Sequence, residues 1–173
     1  VYRSTNGGAG WSTQTIPGTS TTLYDVTFVN DNLGFICGAS GRVYRTTNGG
    51  TLWEQMTAPT TTTLYSVSFL NADSGWAVGT SGAVIRTSNR GTSWALVVSG
   101  SDKTFYETSI AAGVLWVAGA AGTILRAVVG DTTVVPVTEN DPALPGEYSL
   151  RQNYPNPFNP ETKIGFRVSG SGR

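Results

Sequence analysis

Hydrophobic and polar positions along this chain fall into short runs. Stretches of about four to seven apolar or alternating residues are closed by Gly, Asn or Ser, and no segment sustains a helical period. One cycle reads as a strand from Leu64 to Leu70, a turn through Asn71–Gly75, a second strand from Trp76 to Gly79, and a tight turn at Thr80–Gly82. A third strand from Ala83 to Thr87, a polar turn and a fourth strand from Trp94 complete it. Leu23–Phe28, Leu64–Phe69 and Phe105–Ile110 stand in one phase, and Phe35–Gly38, Trp76–Gly79 and Trp116–Gly119 follow in the next. With β-branched residues in the strands and Gly at the turns, propensity and pattern agree on antiparallel meanders.

The cycle repeats. Val1–Trp11 returns as Val43–Trp53 and Val84–Trp94, and a fading copy starts at Ile124-Leu-Arg126. Arg3, Arg45, Arg86 and Arg126 are spaced by 42, 41 and 40 residues, the period of a four-stranded propeller blade. Within the copies, Ser4-x-Asn6-x-Gly8-x-Gly10-Trp11, Thr46-x-Asn48-x-Gly50-x-Leu52-Trp53 and Thr87-x-Asn89-x-Gly91-x-Ser93-Trp94 resemble the Asp box of bacterial-neuraminidase-type repeats, with Asn in place of Asp. The Leu-Tyr-x-Val-x-Phe and Gly-Trp-Ala-Val-Gly phrases resemble the photosystem II assembly factor and related bacterial propellers. The resemblance implies an all-β chain, a β-propeller of four-stranded antiparallel blades over residues 1–127, with about three and a half blades present. Such a count leaves sheet edges open, so the expectation is either a piece of a longer propeller or copies that complete one another.

Composition then narrows the function. Eleven Lys plus Arg balance eleven Asp plus Glu, so no polyanion-binding footprint is expected and nucleic acid is not a predicted partner. Histidine is absent, which removes Ser-His-Asp, Cys-His and His-based zinc chemistry. The single cysteine, Cys37, aligns with Val78 and Ala118 and reads as a small buried hydrophobe. No apolar run is long enough for a transmembrane helix. No cofactor and no metal are expected; Asn71 and Asp73 are read as turn formers, not calcium ligands.

The composition changes after Arg126. Residues 128–147 read as a linker, with three prolines and four carboxylates from Asp131 to Glu147. Residues 148–173 open with Tyr148-Ser-Leu-Arg and reach Gln152, Asn153, Tyr154, Pro155, Asn156, Pro157, Phe158, Asn159 and Pro160, followed by a strand from Thr162 to Val168. This run resembles the start of the C-terminal sorting domain of type IX secretion. The resemblance implies a partial immunoglobulin-like β-sandwich, the type IX machinery as a partner, and a secreted, extracellular or outer-membrane location in a Gram-negative bacterium.

Hydrolysis of glycosides usually requires two carboxylates across the bond. Asp25 and Glu107 share a phase with Ser66 in the first strand of each repeat and are the best acid pair on offer. Two repeats apart, they need not approach the separation required, and polar groups satisfied beside a channel are the plain alternative. The repeated arginines are expected to bind carbonyls or a carboxylate of the next blade. Trp11, Trp53 and Trp94 are expected to pack their box turns, and Phe35, Trp76 and Trp116 to form second-strand core. The function expected is a non-catalytic scaffold for binding or assembly with an unidentified protein or glycan ligand. The alternatives are an extracellular glycoside hydrolase, and a structural subunit forming a homo-oligomer through incomplete propeller edges.

Overall fold

The computed structural model describes residues 1–18 and 20–128, and the backbone of Val135–Pro136, Tyr148–Leu150 and Phe166–Val168. Val1–Pro136 form one compact unit and Val137–Arg173 another. Within the first, β1 (Tyr2–Arg3) and β2 (Ser12–Thr13) make a two-stranded sheet. Three four-stranded antiparallel sheets follow in simple meander order. Sheet 1 holds β3 (Leu23–Phe28), β4 (Gly34–Gly38), β5 (Val43–Thr46) and β6 (Glu54–Met56). Sheet 2 holds β7 (Leu64–Phe69), β8 (Gly75–Gly79), β9 (Val84–Thr87) and β10 (Ala95–Leu96). Sheet 3 holds β11 (Phe105–Ala111), β12 (Val114–Gly119), β13 (Ile124–Val128) and β14 (Val135–Pro136). In the second unit β15 (Tyr148–Leu150) pairs with β16 (Phe166–Val168). Among the described residues no helix is long and apolar enough to cross a membrane.

The strands expected in one cycle are present, with ends moved by a residue: the first closes at Phe69, the second opens at Gly75, and the fourth begins at Ala95. The second strands are buried along their whole length in sheets 1 and 2. Gly75 opens β8 because a Cβ there would sit 2.5 Å from the Phe69 ring, which covers it. Between second and third strands, Ser81 (φ 57) and Gly82 (φ 69) are both left-handed, and the Ala83 N–H donates to the Thr80 carbonyl. That is the mirror-image turn whose twist suits a hairpin.

Alternation along each strand divides its side chains between two neighbouring sheets. Phe35, Cys37 and Val43 of sheet 1 pack with Leu64, Val67, Ala77 and Ile85 of sheet 2. Trp76, Val78 and Val84, on the other face of sheet 2, pack with Phe105, Leu115, Val117 and Leu125 of sheet 3. Ile16, Ile36, Tyr44 and Trp53 form a third cluster on the face of sheet 1 turned away from sheet 2. The sheets thus stack face to face in chain order.

Candidate functional site

Sheet stacking brings the first strands β3, β7 and β11 against one another, yet no backbone ladder joins them. Side chains make the join. The Val67 N–H donates to Asp25 Oδ2 at 2.8 Å, and the Thr108 N–H donates to Ser66 Oγ at 3.3 Å. Each of these amides follows the in-phase residue of its own strand and reaches the in-phase side chain of the strand before it. Asp25 Oδ1 also accepts from the Val26 N–H at 2.8 Å.

Ser66 Oγ lies 3.1 Å from both Asp25 Oδ2 and Glu107 Oε1. The two carboxylates, two repeats apart in sequence, are therefore within about 6 Å of each other. One hydroxyl hydrogen serves two acceptors, so it bonds one at a time. Asp25 is half-buried, Ser66 buried and Glu107 exposed. Among the described residues neither carboxylate is paired with Lys or Arg. Cys37 is buried opposite Asp25 on the adjacent strand. Burial pushes its thiol well above the ordinary value of 9.0, and the charges of Asp25 and Glu107 add to the rise.

Each first strand carries an irregularity just before its in-phase residue: register jumps from Leu23 to Asp25, from Leu64 to Ser66, and from Phe105 to Glu107. The skipped residues are Tyr24, Tyr65 and Tyr106, and the bulge turns them into a ladder. Tyr24 and Tyr65 meet edge-on with ring centroids 4.8 Å apart, and Tyr65 and Tyr106 follow at 5.7 Å. Tyr24 and Tyr106 are exposed. Sequence reasoning did not single out these tyrosines. Their signal was the aromatic residue recurring directly before Asp25, Ser66 and Glu107.

The box turns repeat atom for atom. Thr46 Oγ1 accepts from the Gly50 N–H at 2.9 Å and donates to Asn48 Oδ1 at 3.0 Å, while Asn48 Oδ1 accepts from the Leu52 N–H at 2.9 Å. Ser4, Asn6, Gly8 and Gly10 make the same set, as do Thr87, Asn89, Gly91 and Ser93. The bonds shared by the three boxes use only the Asn side-chain oxygen, which explains how Asn serves where the box has Asp; in the third box Asn89 Nδ2 also donates to Ser93 Oγ at 2.9 Å. Trp94 packs edge-on against Phe69 and Phe35, and Trp53 against Phe28. Trp11 departs from expectation: it is 65% exposed, against 6% and 7% for Trp53 and Trp94. Phe28 faces Trp53 and Phe69 faces Trp94, whereas among the described residues no aromatic ring faces Trp11.

The arginines clasp successive sheets. Arg3 donates to Thr51 Oγ1 at 3.1 Å, and Arg45 donates to the Arg90 carbonyl at 3.2 Å and to Thr92 Oγ1 at 3.1 Å. The carboxylate partner of Arg45 is Glu54, on its own sheet, not the next. Arg86 lies over the Trp76 ring at 5.5 Å. Trp116 is only half-buried, unlike Phe35 and Trp76. Asn71 Oδ1 accepts from the Asp73 and Ser74 N–H groups, and Asp73 pairs with Arg90 at 2.8 Å. No group of three or more metal-capable side chains occurs among the described residues. Gln152 to Pro160 lie outside the described residues.

Successive four-stranded meanders, box turns and arginine clasps define repeats of the bacterial-neuraminidase type, as in β-propellers. The chain belongs to the family "Photosynthesis system II assembly factor YCF48", which it matches over residues 3–98 and again over 51–154. No curated protein matches it. Among solved structures, YCF48 bound to D1 peptide is 23% identical with a TM-score of 0.61, over 70% of this chain and 40% of that one. YCF48 from Cyanidioschyzon merolae is 20% identical with a TM-score of 0.63, over 76% of this chain and 41% of that one. An ancestral GH74 enzyme is 20% identical with a TM-score of 0.65, over 85% of this chain and 22% of that one. The chain therefore spans less than half the length of each of these structures. At such identities the likeness is one of fold.

Proposed function

We propose that this chain is a non-catalytic scaffold that holds an extended segment of a protein partner against the first strands of its sheets. One observation carries the reading: Asp25 is engaged by three donors, two of them from the neighbouring first strand, beside a row of aromatic rings whose two ends are exposed. Exposed tyrosines arrayed over a rigid sheet are contact surface with little conformational entropy to lose. Membership of an assembly-factor family, one of whose solved members holds a D1 peptide, supports a protein partner. The test is a panel of overlapping peptides captured by the full chain. Capture of a subset, weakened in Tyr106→Ala, is expected; capture of none contradicts the reading.

A glycoside hydrolase is the second reading, favoured by the approach of Asp25 and Glu107 to within about 6 Å, near the roughly 5 Å of retaining enzymes. Against it, Ser66 occupies the space between the two carboxylates. Glycan hydrolysis that disappears in Asp25→Asn or Glu107→Gln would establish it.

The tail is proposed as an export address for type IX secretion, placing the scaffold at the outer surface of a Gram-negative cell or beyond it. Its support is the Gln152 to Pro160 run. Removing residues 148–173 in a host with that system is expected to stop export; undiminished export contradicts the assignment.

A further inference from the structure

We propose that this chain pairs head to tail with a second copy of itself: Trp116 and Ile124, on the outer face of sheet 3, seat on Trp11 and Tyr2 of the other copy. The proposal stands apart from the peptide-binding reading and uses a different surface.

The seat is defined inside the chain. Phe35, on the second strand of sheet 1, meets Trp94 of the next box edge-on with ring centroids 6.4 Å apart. It lies so close over that box that a Cβ at Gly91 would fall 2.4 Å from its ring. Val43, on the third strand of sheet 1, shares one buried cluster with Ile85, on the third strand of sheet 2. A box and the third strand before it therefore receive an aromatic and an aliphatic side chain from the preceding sheet.

Both halves of that seat recur open at the two ends of the stack. Trp11 and Tyr2 hold the positions of Trp94 and Ile85, yet they are 65% and 68% exposed. Among the described residues a Cβ at Gly8, the counterpart of Gly91, would meet only the Trp11 ring, at 3.8 Å. Trp116 and Ile124 hold the positions of Phe35 and Val43, which are fully buried, while Trp116 is half-buried and Ile124 exposed. Sheets 1 and 2 stand between the two ends, so one copy does not join its own halves. A surface that repeats the interior of the chain position by position is matched best by the same chain, and such a contact is heterologous. The first unit of each copy supplies three four-stranded sheets and one two-stranded sheet. Two copies double those four, within the roughly 4 to 8 blades that close a propeller. Ala9 stands where Thr51 and Thr92 receive an arginine, so the contact rests on aromatic and aliphatic groups. A two-stranded sheet offers less surface than a four-stranded one, and the copies are expected to separate at the dilution of an unfolding experiment.

Sedimentation equilibrium of the full chain tests the pairing: the mass is expected to rise with concentration from 18.2 kDa toward twice that. Cross-linking reads the orientation. A Tyr2→Cys variant is mixed with an Ile124→Cys variant and treated with a flexible bismaleimide, while Cys37 is buried and stays unreacted. Linked dimer is expected from the mixture and not from either variant alone, because position 2 meets position 124 rather than its own twin. Adding Trp11→Asp to the Tyr2→Cys copy is expected to remove the link. All three side chains are exposed, so the variants are expected to fold, which circular dichroism checks. A mass of 18.2 kDa at every concentration overturns the proposal. A mass that climbs past two copies also overturns it, as does a link that forms as readily within one variant as in the mixture, or one that survives Trp11→Asp.

Discussion

Sheets 2 and 3 carry nearly the same repeat but live in different surroundings. Val84 of sheet 2 is fully buried, while Ile124, its counterpart in sheet 3, is 49% exposed. Val78 is buried where Ala118 is exposed, and Trp76 where Trp116 is half-buried. A Cβ at Gly82 would fall 1.8 Å from the Ser101 carbonyl oxygen, whereas one at Gly122 would meet nothing within 4 Å among the described residues. Among the described residues, sheet 2 is packed on both faces and sheet 3 on one. The repeat supplies strands and turns; the neighbouring sheet decides which residues carry stability.

The largest effect expected from that difference is at the box tryptophans. Trp94→Ala should cost about 4 kcal/mol in urea unfolding, because it empties the space against Phe35 and Phe69. Trp11→Ala should cost under about 0.5 kcal/mol, since its ring is solvated. Equal losses would mean that the box itself, not the sheet behind it, holds the turn.

Next come the turn glycines, which share a φ of 69°. Gly122→Ala pays only for the left-handed backbone, about 1 kcal/mol. Gly82→Ala must also move the Ser101 carbonyl, for a total of about 3 kcal/mol. Comparison of the two denaturation midpoints checks the gap.

Ser66→Ala removes the acceptor of the Thr108 N–H and a donor to the carboxylates, an expected loss of about 1 to 3 kcal/mol by the same method. Glu107→Ala, whose hydrogen bond among the described residues is to Ser66, should stay within about 0.5 kcal/mol.

The last effect depends on pH. The Cys37 thiol is held protonated in the folded chain, while the unfolded thiol ionises near 9.0. Its contribution is therefore fully present below pH 9 and falls as pH rises above it, by about 1.4 kcal/mol per pH unit. Stability measured against pH should lose that slope in Cys37→Ala. Native Cys37 should also resist a thiol reagent that promptly labels an Ala118→Cys variant, since position 118 is exposed in sheet 3.

Much of this was legible in the chain. The phases of Leu23, Leu64 and Phe105 place the first strands, and the Asn-Gly-Trp copies place the box turns, because alternation and turn chemistry are local. The approach of Asp25 to Glu107 was not legible, since it depends on how closely the first strands of three stacked sheets converge. The tyrosine ladder was hidden for a related reason: a bulge at Tyr24, Tyr65 and Tyr106 breaks the alternation that assigns side chains to faces. The exposure of Trp11 was equally invisible, because its box matches the other two and only the ring that faces the tryptophan differs.

The account rests on the first-strand face as the place where a partner is held. Amide hydrogen exchange of the full chain, with and without a captured peptide, tests this most directly. The account predicts added protection concentrated in β3, β7 and β11 around Tyr24, Tyr65 and Tyr106. Protection confined to the box turns at residues 46–53 and 87–94, with the first strands unchanged, would contradict it.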